Sequence, residues 1–243
     1  MNLVVLGATG GTGRLVVEQA LAAGHTVTAL VRSPEKLTLS NPNLRVIAGQ
    51  ATDPSAVSGA VDGADAVISA LGGNGSVISE STRAIVEAAH KAGVSRVVVL
   101  SSFLVERDRF DPVTRLLTGL AMGSMIKDKS AGEKALRDSD LDWTIVYASG
   151  LTDGPGGGAV VVLTEGSRWS LSHRIARADV AAWLVQAATS PKTSRRAVSI
   201  TGGTRTKENL SRRRPDTSEM NKRPDIREGR PRIPINTLLS GRS

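Results

Sequence analysis

The stretch Gly7-Ala8-Thr9-Gly10-Gly11-Thr12-Gly13 constrains this chain most, because of what stands on either side of it. Leu3-Val4-Val5-Leu6 precedes it as a continuous apolar strand. A helical pattern from Arg14 to Ala23 follows, closed by Gly24, and a second strand, Thr26 to Val31, ends at Arg32. Glycines between a buried strand and a helix let the chain turn sharply and bring backbone N–H groups against a pyrophosphate. The Gly-x-x-Gly-x-x-Gly spacing alone is a weak signal. Framed as strand, glycines, helix, strand, it specifies a dinucleotide site. Gly7, Thr9, Gly10, Gly11, Thr12 and Gly13 are therefore the candidate phosphate-side residues.

The end of the second strand bears on which dinucleotide. An Asp or Glu there hydrogen-bonds the ribose 2′-hydroxyl of NAD. This chain has Arg32-Ser33 instead, and no acid until Glu35. A guanidinium can pair with a 2′-phosphate in fork geometry, whereas a carboxylate would repel it, so NADPH is the expected cofactor. The competing reading of Arg32 is a solvated arginine at a strand end.

The 243 residues suffice for one α/β domain with a full core. No cysteine is present, which excludes disulfides, thiolate catalysis and cysteine-ligated metal. His25, His90 and His173 lack metal-ligand spacing, so no metal site is expected. The first apolar run breaks at Gly7, too early for a signal peptide, and no apolar stretch is long enough to span a membrane. The expectation is a cytoplasmic protein. The net charge of +8 is concentrated at one end: residues 204–243 hold 11 Lys/Arg against 5 Asp/Glu, leaving 20 against 18 in residues 1–203. Arg212-Arg213-Arg214-Pro215, Lys222-Arg223-Pro224 and Arg230-Pro231-Arg232 alternate charge with proline. Residues 204–243 thus read as a disordered basic Pro/Arg-rich tail behind a domain of residues 1–203. Such a tail can touch nucleic acid electrostatically, but no aromatic is interleaved to stack on bases, so no specific nucleic-acid partner is expected.

Between loop and tail, strands alternate with helices. Leu44–Gly49, Ala64–Leu71, Val97–Leu100, Trp143–Tyr147 and Ala197–Thr201 read as strands. Asp53–Val61, Ser79–Ala92, Lys129–Arg137 and Ala178–Ala188 read as helices. This alternation predicts βαβ crossovers and a doubly wound parallel sheet, the Rossmann fold. Ligands of such sheets lie beyond the carboxyl ends of the strands. Those ends carry Gln50-Ala51, Ala70-Leu71-Gly72-Gly73, Ser101-Ser102 and Ala148-Ser149-Gly150, small or polar residues that leave room for a cofactor.

The glycine loop, Leu30-Val31-Arg32, Asp65-Ala66-Val67-Ile68, Val99-Leu100-Ser101-Ser102, Leu136–Ile145 and Arg177-Ala178-Asp179-Val180-Ala181 together resemble the atypical short-chain dehydrogenase/reductases. Within them the chain is most similar to the NAD(P)H-binding group of flavin reductase/biliverdin-IXβ reductase and NmrA-like proteins. The resemblance covers residues 1–203. It implies that Gln50 stands where the family has an acid and contacts the adenine. Ser101 and Ser102, at the end of the fifth strand, either contact the nicotinamide carboxamide or the substrate or are simply small residues that end a strand. Conventional members use Tyr-x-x-x-Lys as proton donor and pKa-lowering partner. The only tyrosine, Tyr147, has Leu151 four positions on, so that dyad is absent. Lys129 lies near where the dyad helix runs; it either contacts a ribose or, given Lys127-Asp128, is a solvated helix lysine, the preferred reading. Phe103, Leu104, Met122, Met125 and Trp169 could wall a planar acceptor or simply belong to the core.

A flavin, quinone or linear tetrapyrrole accepts hydride into a delocalised system and needs positioning more than a protein acid. The expected function is therefore an NADPH-dependent reductase of a planar conjugated small-molecule acceptor, with Ser102 as the catalytic-site candidate. The alternative is a non-catalytic NmrA-like NADP(H) sensor or assembly factor, its tail binding the partner. An epimerase is disfavoured by the missing dyad. A monomer or homodimer is expected.

Overall fold

The computed structural model describes residues 1–73 and 75–203; the expected basic tail lies outside the described residues. Its strands are β1 (Asn2–Leu6), β2 (Thr26–Val31), β3 (Leu44–Ala48), β4 (Ala66–Ser69), β5 (Arg96–Ser102), β6 (Asp142–Ala148), β7 (Gly150–Thr152), β8 (Val160–Leu163), β9 (Arg174–Ala176) and β10 (Arg196–Gly202). The helices are α1 (Gly11–Ala22), α2 (Pro54–Val61), α3 (Val77–Ala92), α4 (Pro112–Arg137) and α5 (Arg177–Ala188). One eight-stranded sheet runs β3-β2-β1-β4-β5-β6-β10-β8, and β7 pairs with β9 in a separate small sheet. Every neighbour in the large sheet is parallel except β8, which runs antiparallel to β10. The fold is the expected doubly wound α/β sheet.

The β1 sequence shows why. Leu3 and Val5 pack into one core with α1 and α5, while Val4 and Leu6 pack into the other with α2, α3 and α4. Successive strand side chains point to opposite faces, so a strand covered by helices on both must be apolar throughout. Strand order reverses between β1 and β4, which carry the chain away in opposite directions and open a crevice at their carboxyl ends.

The helix before β6 is much longer than its periodicity indicates. It begins at Pro112, where the Asp111 carboxylate accepts the Val113 and Thr114 amides at 3.1 and 3.0 Å. Helical geometry lapses at Met122 (φ −130°, ψ 18°). Val113, Leu116, Leu117 and Leu120 on its first half are exposed, so that half lacks the buried stripe by which amphipathic helices are recognised. β7, β8 and β9 are also additional to the sequence reading; the glycines from Gly154 to Gly158 interrupt any alternating pattern there.

Candidate functional site

The glycine loop is built for two different reasons. Gly7 adopts φ +84°, and a Cβ there would stand 2.7 Å from the Ala70 carbonyl oxygen, so loop and β4 end touch through backbone. A Cβ on Gly13 would collide with the Gly7 carbonyl oxygen. These two glycines let the chain pack against itself. Gly10 and Gly72 differ: a Cβ on Gly10 meets only the Gly7 oxygen, at 3.3 Å, and one on Gly72 meets nothing within 4 Å. Their open side is space that a ligand can occupy.

The first intrahelical bond of α1 runs from the Arg14 amide to the Gly10 carbonyl, at 2.9 Å. The amides of Gly11, Thr12 and Gly13 precede it and so lack an intrahelical acceptor. Gly10 caps the helix without a side-chain hydrogen bond, and no acid lies in the first turn. Nothing on α1 itself competes for an incoming anion.

A cleft of about 430 Å³ crosses the carboxyl ends of β1 to β4. Gly7, Thr9 and Gly10 line it at the loop, Leu30, Val31 and Arg32 at β2, Gly49, Gln50, Ala51 and Thr52 after β3, and Ala70, Leu71, Gly72, Gly73 and Val77 after β4. Its size falls in the range of about 300–1,000 Å³ usual for small-molecule and cofactor sites. Arg32 is exposed at its rim, and among the described residues it is the one titratable side chain lining the cleft. A row of glycines, free amides and one rim cation fits a phosphorylated dinucleotide. Leu30, Val31, Gly49, Thr52 and Val77 were not among the candidate site residues of the sequence, though the first four adjoin strand ends singled out there.

Other sequence candidates lie elsewhere. Gly11, Thr12 and Gly13 form the first turn of α1. Ser101 is buried, and its hydroxyl donates to Glu133 Oε1 at 2.5 Å rather than facing the cleft. Ser102 is half-buried; its Oγ accepts the Leu104 amide at 3.3 Å and caps the turn after β5. Lys129 is half-buried, which corrects the solvated-lysine reading. Burial lowers its pKa, against the nearby carboxylates of Glu133 and Asp128. Phe103, Leu104 and Trp169 are buried core, with Phe103 edge-on to Trp169 at 5.3 Å, whereas Met122 is exposed.

A buried polar cluster joins α4 to the ends of β5 and β6. Tyr147 donates to Glu133 Oε2 at 2.5 Å, and Arg137 donates to the Tyr147 hydroxyl at 2.7 Å and to Glu133 Oε2 at 3.2 Å. Burial, followed by the Glu133 carboxylate, raises the Tyr147 pKa well above that of a free phenol, with Arg137 only partly opposing. The phenol is held neutral, with its hydrogen engaged by Glu133. Nothing in the local sequence around Tyr147 announces Glu133 as its partner.

A doubly wound sheet with a glycine loop, free helix amides and a cleft across the strand ends defines an NAD(P)H-binding, reductase-like Rossmann domain. The chain belongs to the NAD(P)H-binding family, whose model matches residues 7–191. It is similar to the photosystem II assembly factor Ycf39 of Synechocystis, 28% identical over 216 residues, and covers 83% of this chain and 63% of that relative. The chain thus spans less than two thirds of the length of that relative. An uncharacterised chloroplastic protein of Arabidopsis thaliana is 32% identical over 215 residues, 82% of this chain and 76% of the relative. Among solved structures, the anaerobilin reductase ChuY of Escherichia coli superposes with a TM-score of 0.72 at 26% identity, covering 85% of this chain and 99% of that one. A Veillonella parvula short-chain dehydrogenase/reductase solved with NADP shares the fold, with a TM-score of 0.72 at 19% identity and coverage of 84% and 95%. No helix among the described residues is long and apolar enough to cross a membrane.

Proposed function

We propose that the protein is an NADPH-dependent reductase of a planar conjugated acceptor. The observation that carries this reading is the cleft itself: the glycine loop at one end, Arg32 at the rim, and, among the described residues, no titratable acid or base besides that arginine along its lining. The amides of Gly11, Thr12 and Gly13 orient the pyrophosphate. Arg32 pairs with the 2′-phosphate, and Gln50 and Ala51 flank the adenine. Ala70, Leu71 and Gly72 lead the chain of contacts from the loop toward the ends of β5 and β6. Ser102, whose hydroxyl accepts the Leu104 amide and still holds a proton to donate, orients the acceptor or the carboxamide. Reduced NADP supplies the hydride when bound.

A cleft whose described lining residues include no acid suits an acceptor that delocalises the incoming charge and takes its proton from water. The solved anaerobilin reductase with the same fold supports this substrate class. The sensor reading keeps one specific support: Tyr147, the single phenol of the chain, is locked to Glu133 and Arg137. One experiment separates the two. Purified protein with NADPH bound, as verified by calorimetry, is assayed for NADPH oxidation with FMN, riboflavin, quinones, biliverdins and anaerobilin. Turnover above buffer background with any of them supports the reductase; background rates with all of them favour the sensor. Within the reductase reading, Ser102→Ala lowers kcat about tenfold, the scale of one orienting hydrogen bond.

A further inference from the structure

Arg177 stands at the first position of α5, yet its side chain lies over the first residue of α1. A Cβ built on Gly11 would come within 3.1 Å of both Cδ and Nε of Arg177. The side chain therefore lies beside the first turn of α1, whose opening amides have no intrahelical acceptor, in a recess that Gly11, Arg14 and Asp153 also line. This is an unusual place for a cation, because the amino ends of α1 and α5 both carry partial positive charge. Its ion-pair partner is Asp153, whose carboxylate accepts from Nη1 at 2.5 Å. Asp153 is 89% exposed, so the pair is screened by water and holds the arginine weakly. The acid on α5 itself, Asp179, is turned away and accepts the amides of Gly157 and Gly158. Arg14, the other cation of this recess, pairs with Glu18 at 2.9 Å.

We infer that Arg177 clamps the pyrophosphate of the bound dinucleotide over the first turn of α1, exchanging the Asp153 carboxylate for phosphate oxygens. This rests on the reading of the cleft as an NADP(H) site and adds to it a residue from the far end of the chain. Each phosphate offers the guanidinium two oxygens in fork geometry, where Asp153 accepts through one oxygen, and the adjacent amides complete the anion's shell. The exposed pair with Asp153 keeps the side chain poised over Gly11 before the cofactor arrives.

The test is calorimetric titration of the full chain and of Arg177→Ala, Arg177→Lys and Asp153→Asn with two ligands, NADPH and adenosine 2′-monophosphate. The second ligand keeps the 2′-phosphate and adenine and lacks the pyrophosphate. Arg177→Ala should weaken NADPH at least about tenfold, as for the loss of a charge-assisted contact, and leave the adenosine 2′-monophosphate affinity unchanged. Arg177→Lys should retain part of the NADPH affinity, and Asp153→Asn should bind NADPH at least as tightly as the parent. Unchanged NADPH affinity in Arg177→Ala overturns the clamp while leaving the cofactor reading intact. So does an equal loss for both ligands, which would mean a general disturbance of the cleft. A parent protein that binds neither ligand overturns the cofactor reading and the clamp with it.

Discussion

The carboxylate of Asp128, on α4, accepts the amides of Ile78 and Ser79 at 2.9 and 3.0 Å and so caps α3 from a residue 50 positions away from Ile78. Ser76, the local capping position of α3, makes no side-chain cap bond to the helix amides. The start of α3 adjoins Gly73 and Val77, which line the cleft. Asp128 therefore fixes one wall of the candidate site without touching it. It also satisfies the amino end of α3 with protein charge, whereas the amino end of α1 is left to a ligand.

Removing that cap should be measurable as stability. Burial works against the Asp128 charge, but hydrogen bonds from Ser79 and Ile78 outweigh it and hold the carboxyl below the usual range. Asp128→Ala is expected to cost about 1–2 kcal/mol in urea unfolding at neutral pH. A carboxyl with a depressed folded pKa stabilises above its unfolded value, about 3.9, and loses that contribution as pH falls through the folded value. The gap between parent and variant should therefore close in acid.

Tyr147→Phe should cost stability and little rate. It removes the donor to Glu133 and the acceptor of Arg137, a loss of about 1–2 kcal/mol. A phenol with a raised folded pKa contributes its stability in full below the unfolded value of about 10, and loses it as pH rises toward the folded value. Urea midpoints of parent and variant should converge as pH is raised above about 10. A large fall in kcat instead would assign Tyr147 to acid chemistry.

Arg32 decides the cofactor in this reading. NADPH should bind at least about tenfold tighter than NADH, since one charge-assisted contact is worth about 1.5–3 kcal/mol. Arg32→Asp should abolish or invert the preference. Equal dissociation constants in the parent would remove the NADPH assignment.

Two glycines of one loop should fail differently. Gly10→Val is expected to remain folded by circular dichroism and to lose cofactor binding, because its Cβ meets only the Gly7 oxygen, at 3.3 Å, and Gly10 lines the cleft. Gly13→Ala puts a Cβ against the Gly7 carbonyl oxygen. It should destabilise the fold by at least about 1–3 kcal/mol, as overpacking does, lowering Tm by several degrees.

The architecture was legible in the sequence because each buried parallel strand must be apolar on both faces and each turn into a helix must be small. Leu3–Leu6, the glycine loop and the strand-end residues Arg32, Gln50, Ala51, Ala70, Leu71 and Gly72 declare themselves through that local rule, and the fold gathers all of the latter around one cleft. The first half of α4 did not, since its leucines face solvent and its period marks no core. Nor did the pairs that hold the site: Asp128 with the α3 amides, Ser101 and Tyr147 with Glu133, and Arg177 over Gly11. Local pattern determines which segments are strands and helices, because burial and backbone geometry act within a few residues. Which polar side chain answers which amide, phenol or glycine is decided only when distant segments meet, and there the chain's own sequence spacing carries no signal.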